Sequence, residues 1–116
     1  MRRKAFLAAI PLVLLGGVAA HAHAFLDHAS PRVGSTVRTP PHEVTLWFTQ
    51  KLEPSFSSAR VTDAAGARVD QGARVSGMQI HVAVRSLPPG SYKVHWKVLS
   101  VDTHTTEGSF SFRVGP

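Results

Sequence analysis

Alternation of apolar and polar residues with a period of two is the feature that most limits how this chain can fold. In Glu43-Val-Thr-Leu-Trp-Phe-Thr-Gln50, Val44, Leu46 and Phe48 fall on one side and Thr45, Trp47 and Thr49 on the other. From Ser91 to Val101, Tyr92, Val94, Trp96 and Val98 oppose Lys93, His95 and Lys97; near the end, Phe110, Phe112 and Val114 oppose Ser109, Ser111 and Arg113. This repeat belongs to a strand with one buried face, and no long window repeats every ~3.6 residues as an amphipathic helix would. Weaker strands are expected over 24–29, 59–62, 68–71 and 79–84.

Turn-forming residues separate these stretches: Pro31 with Gly34, Pro40-Pro41, Glu53-Pro54, Asp63-Ala-Ala-Gly66, Ser76-Gly77 and Pro88-Pro-Gly90. Short strands broken roughly every 8–12 residues predict an all-β fold, an antiparallel sandwich of seven to eight strands, with a small barrel as the alternative. Its core should consist of Leu46, Phe48, Tyr92, Trp96, Phe110, Phe112 and the valines.

The beginning of the chain has a different character. Arg2, Arg3 and Lys4 precede an apolar run from Ala5 to Val18, and small residues follow at Ala19, Ala20, Ala22 and Ala24. That is the layout of a secretory signal peptide. A membrane-spanning helix needs about 20 apolar residues, whereas this run is shorter and is broken by Pro11 and Gly16-Gly17. The expected organisation is a cleaved signal peptide over 1–22 and one domain over 23–116.

Charge and composition then exclude several functions. The chain has 13 Lys and Arg against 7 Asp and Glu, a formal net charge of +6. Removing Arg2, Arg3 and Lys4 with the leader halves that excess, and the remaining cations form no run, so nucleic acid is not an expected partner. There is no cysteine, so disulfides and thiolate metal sites are excluded and any metal must be held by His, carboxylate, Met or backbone nitrogen. No Gly-rich phosphate loop, GxSxG elbow or HExxH pair occurs, and the chain is not expected to be an enzyme.

Histidine is the informative residue. In Val18-Ala-Ala-His-Ala-His-Ala-Phe25, cleavage is permitted after Ala20, Ala22 or Ala24. Cleavage after Ala22 makes His23 the first residue, whose α-amine and ring Nδ1 can chelate one metal ion together. Cleavage after Ala20 puts a histidine third, suited to square-planar binding through backbone nitrogens; cleavage after Ala24 removes both histidines. The second context is Val101-Asp-Thr-His104. In an extended segment Asp102 and His104 would point to the same face, and with an N-terminal His they would give the nitrogen-rich, tetragonal set that Cu(II) favours. A hydrogen-bonded turn feature is the competing reading of that pair. His81 and His95 are expected on solvent-exposed polar faces.

The same residues resemble a known family. His23-Ala-Phe-Leu-Asp-His-Ala-Ser-Pro31, Leu46-Trp-Phe-Thr-Gln50, the block from Leu87-Pro-Pro-Gly-Ser-Tyr to Ser100-Val-Asp-Thr-His104, and Gly108-Ser-Phe-Ser-Phe-Arg-Val114 are similar to the CopC family of periplasmic copper-binding proteins. The resemblance implies a Greek-key, immunoglobulin-like β-sandwich in the periplasm that binds one Cu(II) per chain and serves copper resistance or homeostasis. It implies His23, Asp102 and His104 as the metal residues, cleavage after Ala22, and a multi-pass inner-membrane copper transport partner; a monomer is expected. Gln50 falls where some members carry a glutamate, and Met78 alone cannot build the methionine-rich Cu(I) loop of others, so a Cu(II)-only protein is expected. Two alternatives use the same residues differently: a copper-dependent oxygenase with a histidine brace, and a metal-free adhesion or assembly module.

Overall fold

The computed structural model describes residues 24–116; the leader and His23 lie outside the described residues. Eight strands follow one another: β1 (Leu26–Ser30), β2 (Thr36–Val37), β3 (Glu43–Phe48), β4 (Ser58–Asp63), β5 (Asp70–Ser76), β6 (Gln79–Val84), β7 (Gly90–Leu99) and β8 (Thr105–Val114). A short 3-10 turn, Pro54–Phe56, interrupts the connection from β3 to β4, and no α-helix occurs among the described residues.

The strands divide into two four-stranded sheets, ordered β1-β3-β6-β5 and β2-β8-β7-β4. The fold is therefore a β-sandwich rather than a closed barrel. Every pairing is antiparallel except that of β2 with β8, which is parallel.

Alternation explains the packing. Val44, Leu46 and Phe48 of β3 and Ile80, Val82 and Val84 of β6 face Tyr92, Val94, Trp96 and Val98 of β7 and Phe110, Phe112 and Val114 of β8; all are buried in one cluster. Burying each large side chain contributes about 1.5–3 kcal/mol. The edge of one ring meets the face of another across the two sheets at Phe48 and Trp96, with centroids 5.1 Å apart and planes at 76°, an arrangement the aromatic quadrupoles favour.

Differences from expectation have local causes. Strand β8 begins at Thr105, five residues before the alternation starts. Thr105-Thr-Glu-Gly-Ser109 carries no apolar repeat, so its extended form comes from pairing with β7, from Leu99 opposite Thr105 to His95 opposite Ser109; tertiary pairing overrides propensity here. The two-residue strand β2 has no alternation to read. Strand β5 covers 70–76 rather than 68–71, and β7 stops at Leu99 rather than running to Val101.

Candidate metal centre

Strand β7 ends early because Ser100 turns the chain. The five residues Ser100–His104 connect β7 to β8, with Thr103 N–H donating to the Ser100 carbonyl at 2.8 Å and Ser100 N–H to the His104 carbonyl at 3.0 Å. Thr103 takes a left-handed backbone, φ 71°, which costs a β-branched residue energy and is held only where the surroundings fix it. Asp102 and His104 thus sit on a tight loop and not, as expected, on one face of an extended segment. The loop still joins them: His104 Nδ1 lies 3.4 Å from Asp102 Oδ1, with both side chains substantially exposed.

The buried Ser100 organises the pair. Its hydroxyl donates to Asp102 Oδ1 and accepts from the His104 N–H at 3.4 Å. The Ser100 hydroxyl, and after it the neighbouring His104 ring, hold the Asp102 carboxyl below the usual aspartate range, so it stays ionised and able to meet a cation.

Three more segments converge on this end of the sandwich. Thr106, two residues past His104, donates its hydroxyl to the carbonyl of Ala24 at 2.7 Å, and Ala24 is fully buried. Phe25 N–H donates to Thr49 Oγ1 and Thr49 N–H returns to the Phe25 carbonyl, both at 2.9 Å. Val101 N–H donates to the Lys51 carbonyl at 3.0 Å. Gln50 therefore sits between a residue tied to the start of the described chain and one tied to the Asp102 loop. Of these neighbours only Gln50 was singled out from the sequence; Thr106 and Thr49 were not, because hydroxyls that anchor backbone leave no periodic signal.

Among the described residues no three His, Asp or Glu side chains gather as a metal cage; Asp102 and His104 are two donors of an incomplete set. Three other histidines have separate side-chain partners. His28 stacks on Trp47 with centroids 4.4 Å apart and planes at 9°, and its Nδ1 lies 2.6 Å from Asp27. His81 and His95 are half-buried rather than exposed, paired with Glu43 at 3.2 Å and Glu107 at 2.9 Å.

Comparison with known proteins identifies the architecture. The CopC domain model matches residues 26–115. The chain belongs to the CopC family. It is 36% identical over 110 residues to copper resistance protein C of Xanthomonas campestris pv. juglandis, covering 86% of each chain. It is 34% identical over 98 residues to protein YobA of Escherichia coli K12, covering 80% of this chain and 79% of the relative. The crystal structure of CopC from Methylosinus trichosporium OB3b superposes with a TM-score of 0.77 at 36% identity, covering 81% of this chain and 95% of that one. This CopC-family protein thus has relatives named for copper resistance, and copper is the ion that its family ties to the fold.

Proposed function

We infer that this CopC-family protein is a periplasmic Cu(II) carrier or buffer in copper resistance or homeostasis. Its leader is removed after Ala22, so that His23 becomes residue one and offers its α-amine and Nδ1 to a single Cu(II). His104 adds a third nitrogen, and Asp102 adds an oxygen or orients His104 through its Nδ1. With Nδ1 turned to the carboxylate, the neutral ring that donates there carries its lone pair on Nε2. The copper is cargo, exchanged with a multi-pass membrane transport protein, and no catalytic turnover is assigned to it.

One observation carries this reading: the Thr106 hydroxyl holds the Ala24 carbonyl at 2.7 Å. That bond anchors Ala24 beside β8, the strand that leads out of His104. Met78 is the only methionine after the leader, which supports Cu(II) over Cu(I), since thioether clusters select the latter. An amine and imidazoles bind copper only when deprotonated, so copper should be released as pH falls through about 6.

Native mass spectrometry of the exported protein, before and after one equivalent of Cu(II), tests this directly. The expected chain begins at His23 and gains one copper. A chain that begins anywhere else, or takes up no metal, overturns the reading.

A further inference from the structure

The outward face of the β2-β8-β7-β4 sheet carries an unbalanced row of cations. Along β7, Lys93, His95 and Lys97 point away from the core at every second position, and Arg60 of β4 lies opposite His95. Opposite charges placed across strands stabilise a sheet, and like charges there oppose it. Yet Lys93 faces Thr62 and Ser111, Lys97 faces Ser58 on one side, and only Glu107 on the other answers with a carboxylate. That carboxylate is engaged by His95 at 2.9 Å. Among the described residues Arg60, Lys93 and Lys97 make no ion pair.

This face is concave. Two hollows of about 430 and 630 Å³ adjoin each other and share Arg60 and His95 as lining. Residues 63–73 bound them on the β4 side, where Arg68 is neutralised by Asp70 at 2.8 Å and the Asp63 carboxylate accepts from the Ala65 and Ala67 N–H groups, both at 2.9 Å. The result is a groove along β7 with serine and threonine hydroxyls between its cations.

The geometry points to this groove as a docking site for an extended acidic protein segment. Same-face side chains recur every two residues along a strand, about 6.6–6.8 Å. Lys93 and Lys97 therefore present donors two such repeats apart, with Arg60 beside the position between them, in step with an extended peptide that carries carboxylates at every second residue. A single phosphate would fill a small part of the two hollows, and a flat bilayer cannot reach a concave floor. The inference rests on charge, shape and spacing and is independent of the copper reading.

The test uses the exported, 15N-labelled protein titrated at low salt with the peptide Glu-Thr-Glu-Thr-Glu-Thr-Glu. A block peptide of the same composition, inorganic phosphate, and vesicles of phosphatidylcholine with 30% phosphatidylglycerol serve as competitors. The expected result is saturable shifts confined to amides of β4, β7 and β8, with the alternating peptide favoured. Lys93→Ser/Lys97→Ser should weaken binding about tenfold or more at unchanged Tm. Arg32→Ser/Arg74→Ser, which removes equal charge elsewhere, should leave affinity within about twofold. Equal binding of both peptides, equal loss in both double variants, shifts spread over the whole surface, or preference for phosphate or vesicles would each overturn the proposal.

Discussion

The indole of Trp96 on β7 lies directly over Gly108, its cross-strand partner on β8. A Cβ added at Gly108 would come 2.6 Å from Cζ2 of that ring, closer than two carbons can approach. The glycine is needed for this approach and not for a special backbone angle. The space that a side chain on β8 would occupy is filled by a ring from β7, the same ring that meets Phe48 from the opposite sheet.

Gly108→Ala should therefore displace the indole and loosen the link between the sheets, at a cost of about 1–3 kcal/mol. Urea denaturation followed by tryptophan fluorescence checks this. A loss below about 0.5 kcal/mol would mean that the ring swings aside freely.

Ser100→Ala removes the donor that steadies Asp102 and leaves the two proposed ligands in place. The Asp102 carboxyl should titrate closer to the ordinary aspartate value, and Cu(II) affinity should drop about 10- to 100-fold, as expected for an outer partner of a metal ligand. Competition against a chelator of known affinity measures the effect, and an unchanged affinity would separate Ser100 from the metal.

Gln50→Glu places a carboxylate between the two residues that bond to Phe25 and Val101. An added negative charge beside a divalent ion at a partly exposed site should strengthen Cu(II) binding by about 1–2 kcal/mol, near tenfold. The same chelator competition reads it, and weaker binding would show that position 50 points away from the ion.

Asp70 gives stability a pH dependence of known sign. Burial works to raise its carboxyl, but the Arg68 hydrogen bond, the Val61 N–H and the Arg68 charge together bring it below the ordinary value. The unfolded chain therefore binds the proton more readily, so stability is fully present above about pH 4, near the unfolded aspartate pKa, and is lost as pH falls toward the folded value. Asp70→Asn should flatten that acid limb and cost about 1–2 kcal/mol at neutral pH, where a charge-assisted bond to Arg68 is lost. Thermal melts of both proteins between pH 3 and 7 decide it; parallel acid limbs would refute the assignment.

How much of this could be read from the chain depends on where the information resides. Tyr92, Val94, Trp96 and Val98 announce their strand and its buried face because burial itself imposes the period of two. The first half of β8 is invisible to that rule: Gly108 gives its inward place to Trp96, and the surrounding threonines and serine follow β7 through backbone bonds alone. Asp102 and His104 stood out by residue type and spacing, yet the loop that unites them was misread as extended, since a left-handed threonine is not a pattern that propensity predicts. The Thr106 bond to Ala24 spans most of the chain, and nothing local to either residue foretells it.

A sandwich of eight strands exposes four lateral edges, each an invitation for another chain to add a strand. In this molecule every one is spoiled. Strand β2 is only two residues long, and β1 and β5 are bulged, between Leu26 and His28 and between Asp70 and Ala73. The straight edge of β4 is sealed by its own chain: Val61 N–H is taken by the Asp70 carboxylate, Val69 N–H goes to the Val61 carbonyl, and Asp63 N–H goes to Ala67. Asp70 thus covers an edge donor as well as adding stability, and its loss would bare the Val61 N–H alone, since the Val61 carbonyl and the Asp63 N–H stay engaged by Val69 and Ala67.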